Sequence, residues 1–88
     1  MYIVQYDIKD KGREEAFLSS LKTLGDSNLF LSHSFFLDSE SSRGDIYDKL
    51  RATMAQEDLL IIVETEATNM SGWLPKRSVD WIRALLAK

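Results

Sequence analysis

The sequence predicts an α+β fold in which a βαβ unit is followed by a second, βαβ-like half, with one more helix at the C-terminus. Three observations lead there. Two short stretches rich in β-branched, aromatic and aliphatic residues, YIVQYDI at residues 2–8 and DLLIIVET at 58–65, read as strands near the two ends of the chain. Two stretches between them repeat apolar residues at helical spacing. Between those helices lies NLFLSHSFFLD, residues 28–38, extended in character but long for a single strand.

Each element has its own local reason. Residues 12–24 form the first helix, because Phe17, Leu21 and Leu24 recur on one face, Asp10 can cap the start and Gly25 can end it. In residues 28–38 the polar Ser32-His33-Ser34 interrupts the apolar run and predicts a sharp bend, which splits the stretch into two short strands. Ser41 and Ser42 offer an N-cap with Asp45 as the acidic partner, and Ile46, Leu50 and Met54 place the second helix over 43–55. Residues 66–72 are a connection. Pro75 suits the first turn of a final helix to about residue 87, whose apolar face is Val79, Ile82 and Leu86.

The resulting order, βαββαβ plus a helix, is the ferredoxin-like arrangement. It implies an antiparallel sheet of spatial order 4-1-3-2, with two helices on one face. Strand 1 is then central, and Asp7, the Ser32-His33-Ser34 bend and Glu57-Asp58 converge at one end of the sheet. The chain has 88 residues, which fits one domain spanning 1–88.

Alternation within the strands sorts the faces. Tyr2, Val4 and Tyr6 share one face, Ile3, Gln5 and Asp7 the other. In the last strand Leu59, Ile61 and Val63 are expected in the core, which leaves Leu60, Ile62 and Glu64 beside Ile3 and Gln5. An open face holding Ile3, Gln5, Leu60 and Ile62 needs a cover. The candidates are a second copy of the chain and the terminal helix with Trp73 and Trp81; the small size of the chain and the prevalence of two-fold oligomers favour a homodimer.

Composition narrows the function. Eleven Lys and Arg against fourteen Asp and Glu leave a net charge of −3, without the basic stripe of a nucleic-acid module. Lys9, Lys11 and Arg13, and Lys76 and Arg77, form only small basic groups. Cysteine is absent, which excludes disulfides, thiol chemistry and zinc knuckles and fits a cytoplasmic location. Hydrophobic residues make up 44% and the mean hydropathy is −0.21, as in folded soluble chains. No apolar run approaches the roughly 18 residues of a membrane span. The N-terminus enters a strand directly, so neither a signal segment nor a membrane partner is expected. The four glycines form no phosphate loop, and no nucleophile motif accompanies the single histidine.

The order of Tyr6-Asp7 at the end of an apolar strand, Ser34-Phe35-Phe36 after the bend and Asp58 before a buried strand resembles the small CRISPR-associated adaptation protein family, Cas-two, over residues 2–65. The ending GWLPKRSVDWIRALL looks more like small bacterial proteins labelled SinR-like, with no helix-turn-helix. The resemblance implies a homodimer in which strand-end carboxylates meet near the two-fold axis. Asp7 is the matching residue, as catalytic carboxylate and ligand of magnesium or manganese for phosphodiester cleavage, with His33, Ser34 and Asp58 as supporting residues. The acidic balance and the Ile8-Lys9-Asp10 that follows Asp7 depart from the family's basic surfaces and weigh against nucleic-acid binding. The other reading is a non-catalytic interaction or scaffold dimer, for example in a mobile-element or toxin–antitoxin setting. For each residue a structural reading stands beside the functional one: Asp7 as turn former, His33 as a hydrogen-bonded bend residue, Asp58 as a solvated loop acid, Ser34 as a backbone partner, and the tryptophans as core.

Overall fold

The structure, a computed structural model, describes residues 1–88. Its elements run β1 (Tyr2–Asp7), α1 (Lys11–Leu24), β2 (Asp26–Leu31), β3 (Ser34–Asp38), α2 (Arg43–Arg51), β4 (Leu59–Glu64), a 3-10 turn (Ala67–Asn69) and α3 (Lys76–Leu86). The four strands form one antiparallel sheet in the order β2-β3-β1-β4, the ferredoxin-like topology expected from the sequence. Strand β1 is central.

The core lies between this sheet and the pair α1–α2. Tyr2, Val4 and Tyr6 of β1 and Leu37 of β3 meet Phe17, Leu21 and Leu24 of α1 and Ile46 and Leu50 of α2. Strand alternation and helical spacing deliver these residues to the same layer. The caps work as the residue types demand: the Asp10 side chain accepts from the Arg13 N–H, and Ser42 Oγ accepts from the Asp45 N–H.

Two local expectations change. Helix α2 stops at Arg51, short of the expected residue 55, because its last turn is tied off. Thr53 Oγ1 donates to Leu50 O, Arg51 donates to Met54 O, and the Ala55 N–H is taken by Asp58. Gly25 ends α1 as expected, and does so in extended geometry. Its glycine is required by close approach, since a Cβ there would run into the Asp38 carbonyl oxygen. In α3, Val79 and Ile82 are half-buried as expected but Leu86 is exposed; Ser78 and Trp81 face the sheet.

The largest correction concerns the phase of β4. Leu60 and Ile62 do not lie on the open face: they pair with Tyr6 and Val4 and pack on the core. Leu59, Ile61 and Val63 pair with Asp7, Gln5 and Ile3 and are 63%, 55% and 42% exposed. The cause is Asp58. Its carboxylate is clamped on the helix side by Arg13 of α1, so residues 58, 60 and 62 all turn that way.

The open face is thereby divided. Helix α3 lies over its β2–β3 half. Trp81 stacks on Phe36 with ring centroids 5.9 Å apart, Phe36 stacks on Phe30 at 3.9 Å, and Trp81 Nε1 donates to Asp26. The β1–β4 half, with Ile3, Gln5, Asp7, Leu59, Ile61 and Val63, carries no such cover. Trp73, expected to help cover the face, is 100% exposed and covers nothing in its own chain.

Candidate functional site

The residues expected to converge do meet at one end of the sheet through their backbones. Asp7 pairs with Leu59, next to Asp58, and the Tyr6 N–H donates to His33 O. Their side chains, however, separate onto the two sides of the sheet, because neighbouring strand positions alternate.

On the helix side lie two hydrogen-bonded groups. The first is built around Asp58, whose side chain is fully buried. Its two oxygens accept from the Lys9 and Ala55 main-chain N–H groups and from Arg13 Nε and a terminal guanidinium nitrogen, at 2.9–3.1 Å. The hydrogen bonds from Arg13, helped by those backbone donors, hold the carboxyl well below the usual carboxylate range. Every oxygen lone pair that a metal would use faces a donor, so Asp58 is a clamp between α1, the Lys9 backbone and the start of β4. It is not the solvated loop acid of the sequence reading, and its side chain lies on the opposite side of the sheet from that of Asp7.

The second group is Tyr6, Glu14 and His33. Tyr6 OH donates to Glu14 Oε2 at 2.8 Å, and His33 Nε2 lies 3.6 Å from the same oxygen. The His33 and Tyr6 rings meet edge to face at 5.2 Å. Burial, then the bond to Glu14 and its charge, push the Tyr6 phenol far above its ordinary value and keep it protonated. His33 has φ 58°, the only residue of the chain with positive φ outside glycine, in the turn between β2 and β3. A β-turn of this kind favours Gly or Asn there; His33 instead has its imidazole against Glu14 and Tyr6. It therefore works on the opposite side of the sheet from Asp7.

On the open side are Asp7, Gln5 and Ser34. Ser34 stands opposite Gln5, is buried and donates to Ser32 O at 3.3 Å, a bend-satisfying bond. Asp7 is half-exposed, and Lys9 Nζ donates to it at 2.8 Å; that hydrogen bond raises the Lys9 ammonium above its ordinary value. Gln5, Asp7, Leu59 and Ile61 border a shallow hollow of about 290 Å³. No three His, Asp or Glu side chains gather around a metal-sized point. The donors at Asp7 within one chain, a single carboxylate already facing an ammonium, do not fit a magnesium or manganese ion, which takes several oxygen ligands.

The residues that sequence reasoning missed are Leu59, Ile61 and Val63. The signal available was weak: LLIIV is apolar at every position, so alternation cannot choose its outward set.

No protein-family model matches the chain, and no curated protein does. Among solved structures it is similar to the crystal structure of a hypothetical protein TT1823 from Thermus thermophilus, at 26% identity and a TM-score of 0.60, with 84% of this chain and 92% of that chain covered. The chain is a small ferredoxin-like protein, and no helix in it is long and apolar enough to cross a membrane.

Proposed function

We propose that the protein is a non-catalytic interaction module that pairs with a second copy of itself through the bare β1–β4 half of its open face. The observation that carries this reading is the row of Leu59, Ile61 and Val63 standing outward beside Ile3 on two adjacent strands. Apolar side chains in a contiguous patch gain free energy when they leave water together, roughly 25 cal/mol for each Å² buried. Charge supports the same occupant. The chain carries −3 overall, yet the patch holds one charged residue, Asp7, and Lys9 compensates it. A two-fold pairing through this patch brings few like charges together. The engagement of His33 and Asp58 within their own chain supports the absence of a catalytic role.

The test is the mass in solution. Light scattering on a sizing column is expected to give twice the chain mass of 10.1 kDa. Ile61→Lys, which puts a charge in the middle of the patch, is expected to return the monomer. A monomer at every concentration, or a dimer untouched by Ile61→Lys, would reject the reading.

One observation favours a second reading, metal-dependent phosphodiester cleavage by a relative of the adaptation family. Asp7 lies on the same face, paired with Leu59, so a two-fold pairing through that face carries two Asp7 carboxylates into one interface. Incubation with RNA and DNA in the presence of magnesium or manganese separates the readings. Cleavage that disappears in Asp7→Asn with unchanged circular dichroism supports the enzyme; no cleavage, or cleavage that survives in Asp7→Asn, supports the module.

A further inference from the structure

The outer edge of β4 is a second surface, distinct from the face. Its main-chain polarity follows from one pair. Thr65 donates its N–H to Met1 O at 2.9 Å, and the Met1 amino group donates to Thr65 O at 3.1 Å. In an antiparallel ladder such exchanging pairs alternate with non-exchanging ones. The exchanging pairs along the ladder are therefore Val63–Ile3, Ile61–Gln5 and Leu59–Asp7. The bond from the Tyr6 N–H to His33 O, on the other side of β1, agrees with this phase. Leu60, Ile62 and Glu64 thus turn their N–H and C=O groups away from β1, along an edge beyond which the sheet has no strand.

Proteins usually close such an edge with a bulge, a proline, a lysine or a covering element. The opposite edge has two of these devices. Strand β2 is irregular between Leu29 and Leu31, and Arg77 and Ser78 of α3 both donate to Leu29 O. Strand β4, LLIIVE, has no lysine, no proline and no register shift. Beside it, on the helix side, runs a trough where Leu60 and Ile62 meet Gly44 and Tyr47 of α2. A Cβ on Gly44 would meet nothing within 4 Å, so the trough is open there. At the far end of the strand Glu64 and Glu66 are exposed and take part in no ion pair, whereas Arg43 and Asp48 at the trough offset each other in charge.

We propose that this edge docks an extended segment of a partner protein, apolar at alternate positions and carrying Lys or Arg where it passes Glu64 and Glu66. Strand addition satisfies the outward main-chain groups of Leu60, Ile62 and Glu64. Alternate side chains of the added strand then fall into the Tyr47 trough and beside Leu59, Ile61 and Val63. A second copy of β4 fits poorly. Residues 56–66 hold no Lys or Arg, so antiparallel pairing with a second β4 leaves Glu64 and Glu66 of both chains without a basic partner. The inference goes beyond self-pairing through the face and does not depend on it.

The probes are fluorescein-labelled octapeptides that alternate Val and Thr and carry two lysines, or two glutamates, at one end or the other. Anisotropy is expected to show one lysine-ended peptide binding about tenfold more tightly than its glutamate-ended counterpart. The double variant Glu64→Gln, Glu66→Gln, both at exposed positions, is expected to level the two. Hydrogen exchange of the Leu60, Ile62 and Glu64 amides should be fast in the free protein and slow with peptide. N-methylation of alternate peptide residues should abolish binding in one phase and spare it in the other. Binding by no peptide, equal binding of both charge types, protection on another element, or the same three amides already protected in the free protein would each overturn the proposal. A monomer that still binds the peptides rejects self-pairing and leaves this inference standing; a dimer that ignores them does the reverse.

Discussion

The two halves of the open face begin as the same kind of surface and end differently. Over β2 and β3, Phe30 and Phe36 lie under Trp81, and α3 also closes the β2 edge at Leu29. Over β1 and β4, Leu59, Ile61 and Val63 stay exposed beside a half-buried Ile3, and the β4 edge stays open. The difference is one of width. A helix is about 10–12 Å across with its side chains, and strands lie about 4.8 Å apart, so one helix covers about two strands. The other face of the sheet has two helices, α1 and α2, which bury Tyr2, Val4, Tyr6 and Leu37 and leave Leu60 and Ile62 partly buried at the β4 margin. The open face has one helix, and half of it remains for something outside the chain.

Removing the cover tests this contrast most severely. Trp81→Ala strips the stack from Phe36 and is expected to lower the unfolding free energy by about 2–3 kcal/mol, toward the low end for a large aromatic because Trp81 is only half-buried. Urea unfolding measures it, and a loss below about 0.5 kcal/mol would mean that α3 does not hold its half of the face.

Asp58 keeps the bare half in its phase, so Asp58→Asn is the next largest perturbation. Its folded-state pKa lies below the unfolded value, so the clamp contributes fully above about pH 4 and progressively less as the pH falls from there toward the folded-state value. The variant is expected to unfold at a lower temperature at pH 7 and to lose less further stability than the wild type between about pH 4 and pH 2, where the unfolded chain protonates this carboxylate and the folded one does not. Parallel acid titrations followed by circular dichroism would show it; identical slopes would remove Asp58 from the account.

Changes on the bare half itself should barely affect the monomer. Ile61→Lys, measured where the wild type is monomeric, is expected to shift the unfolding free energy by no more than about 0.5 kcal/mol, in contrast to its effect on pairing. The smallest effect is expected on the outer side of α3. Lys76 and Asp80 form an exposed i,i+4 pair at 2.7 Å, and Lys76→Ala should change stability by about 0.3 kcal/mol or less.

Much of the fold was legible because local signals agreed. Asp10 and Ser42 marked helix starts, the periodic apolar residues marked α1 and α2, and Ser32-His33-Ser34 marked the bend between β2 and β3. The candidate site was legible only as a meeting of backbones. Strand order brings Asp7, His33 and Asp58 to one end of the sheet, but the side of the sheet each residue uses depends on register. His33 went to Glu14 and Tyr6, Asp58 to Arg13, and Asp7 to Lys9. Only the Asp7–Lys9 pair is local; no spacing along the chain encodes the charged partners of His33 and Asp58, Glu14 and Arg13, which lie 19 and 45 residues away.

The sequence by itself determined the elements, their order and the face that β1 gives to the core, because Tyr2, Val4 and Tyr6 alternate against Gln5 and Asp7 and the helices carry their own period. Only the tertiary structure decided the phase of β4 and the reach of α3. A strand that is apolar at every position can be buried by either face, and the choice fell to a buried carboxylate held by an arginine on α1. A single amphipathic helix can cover one pair of strands, and the choice fell to Trp81 meeting Phe36. These two long-range contacts leave Leu59, Ile61 and Val63 facing outward.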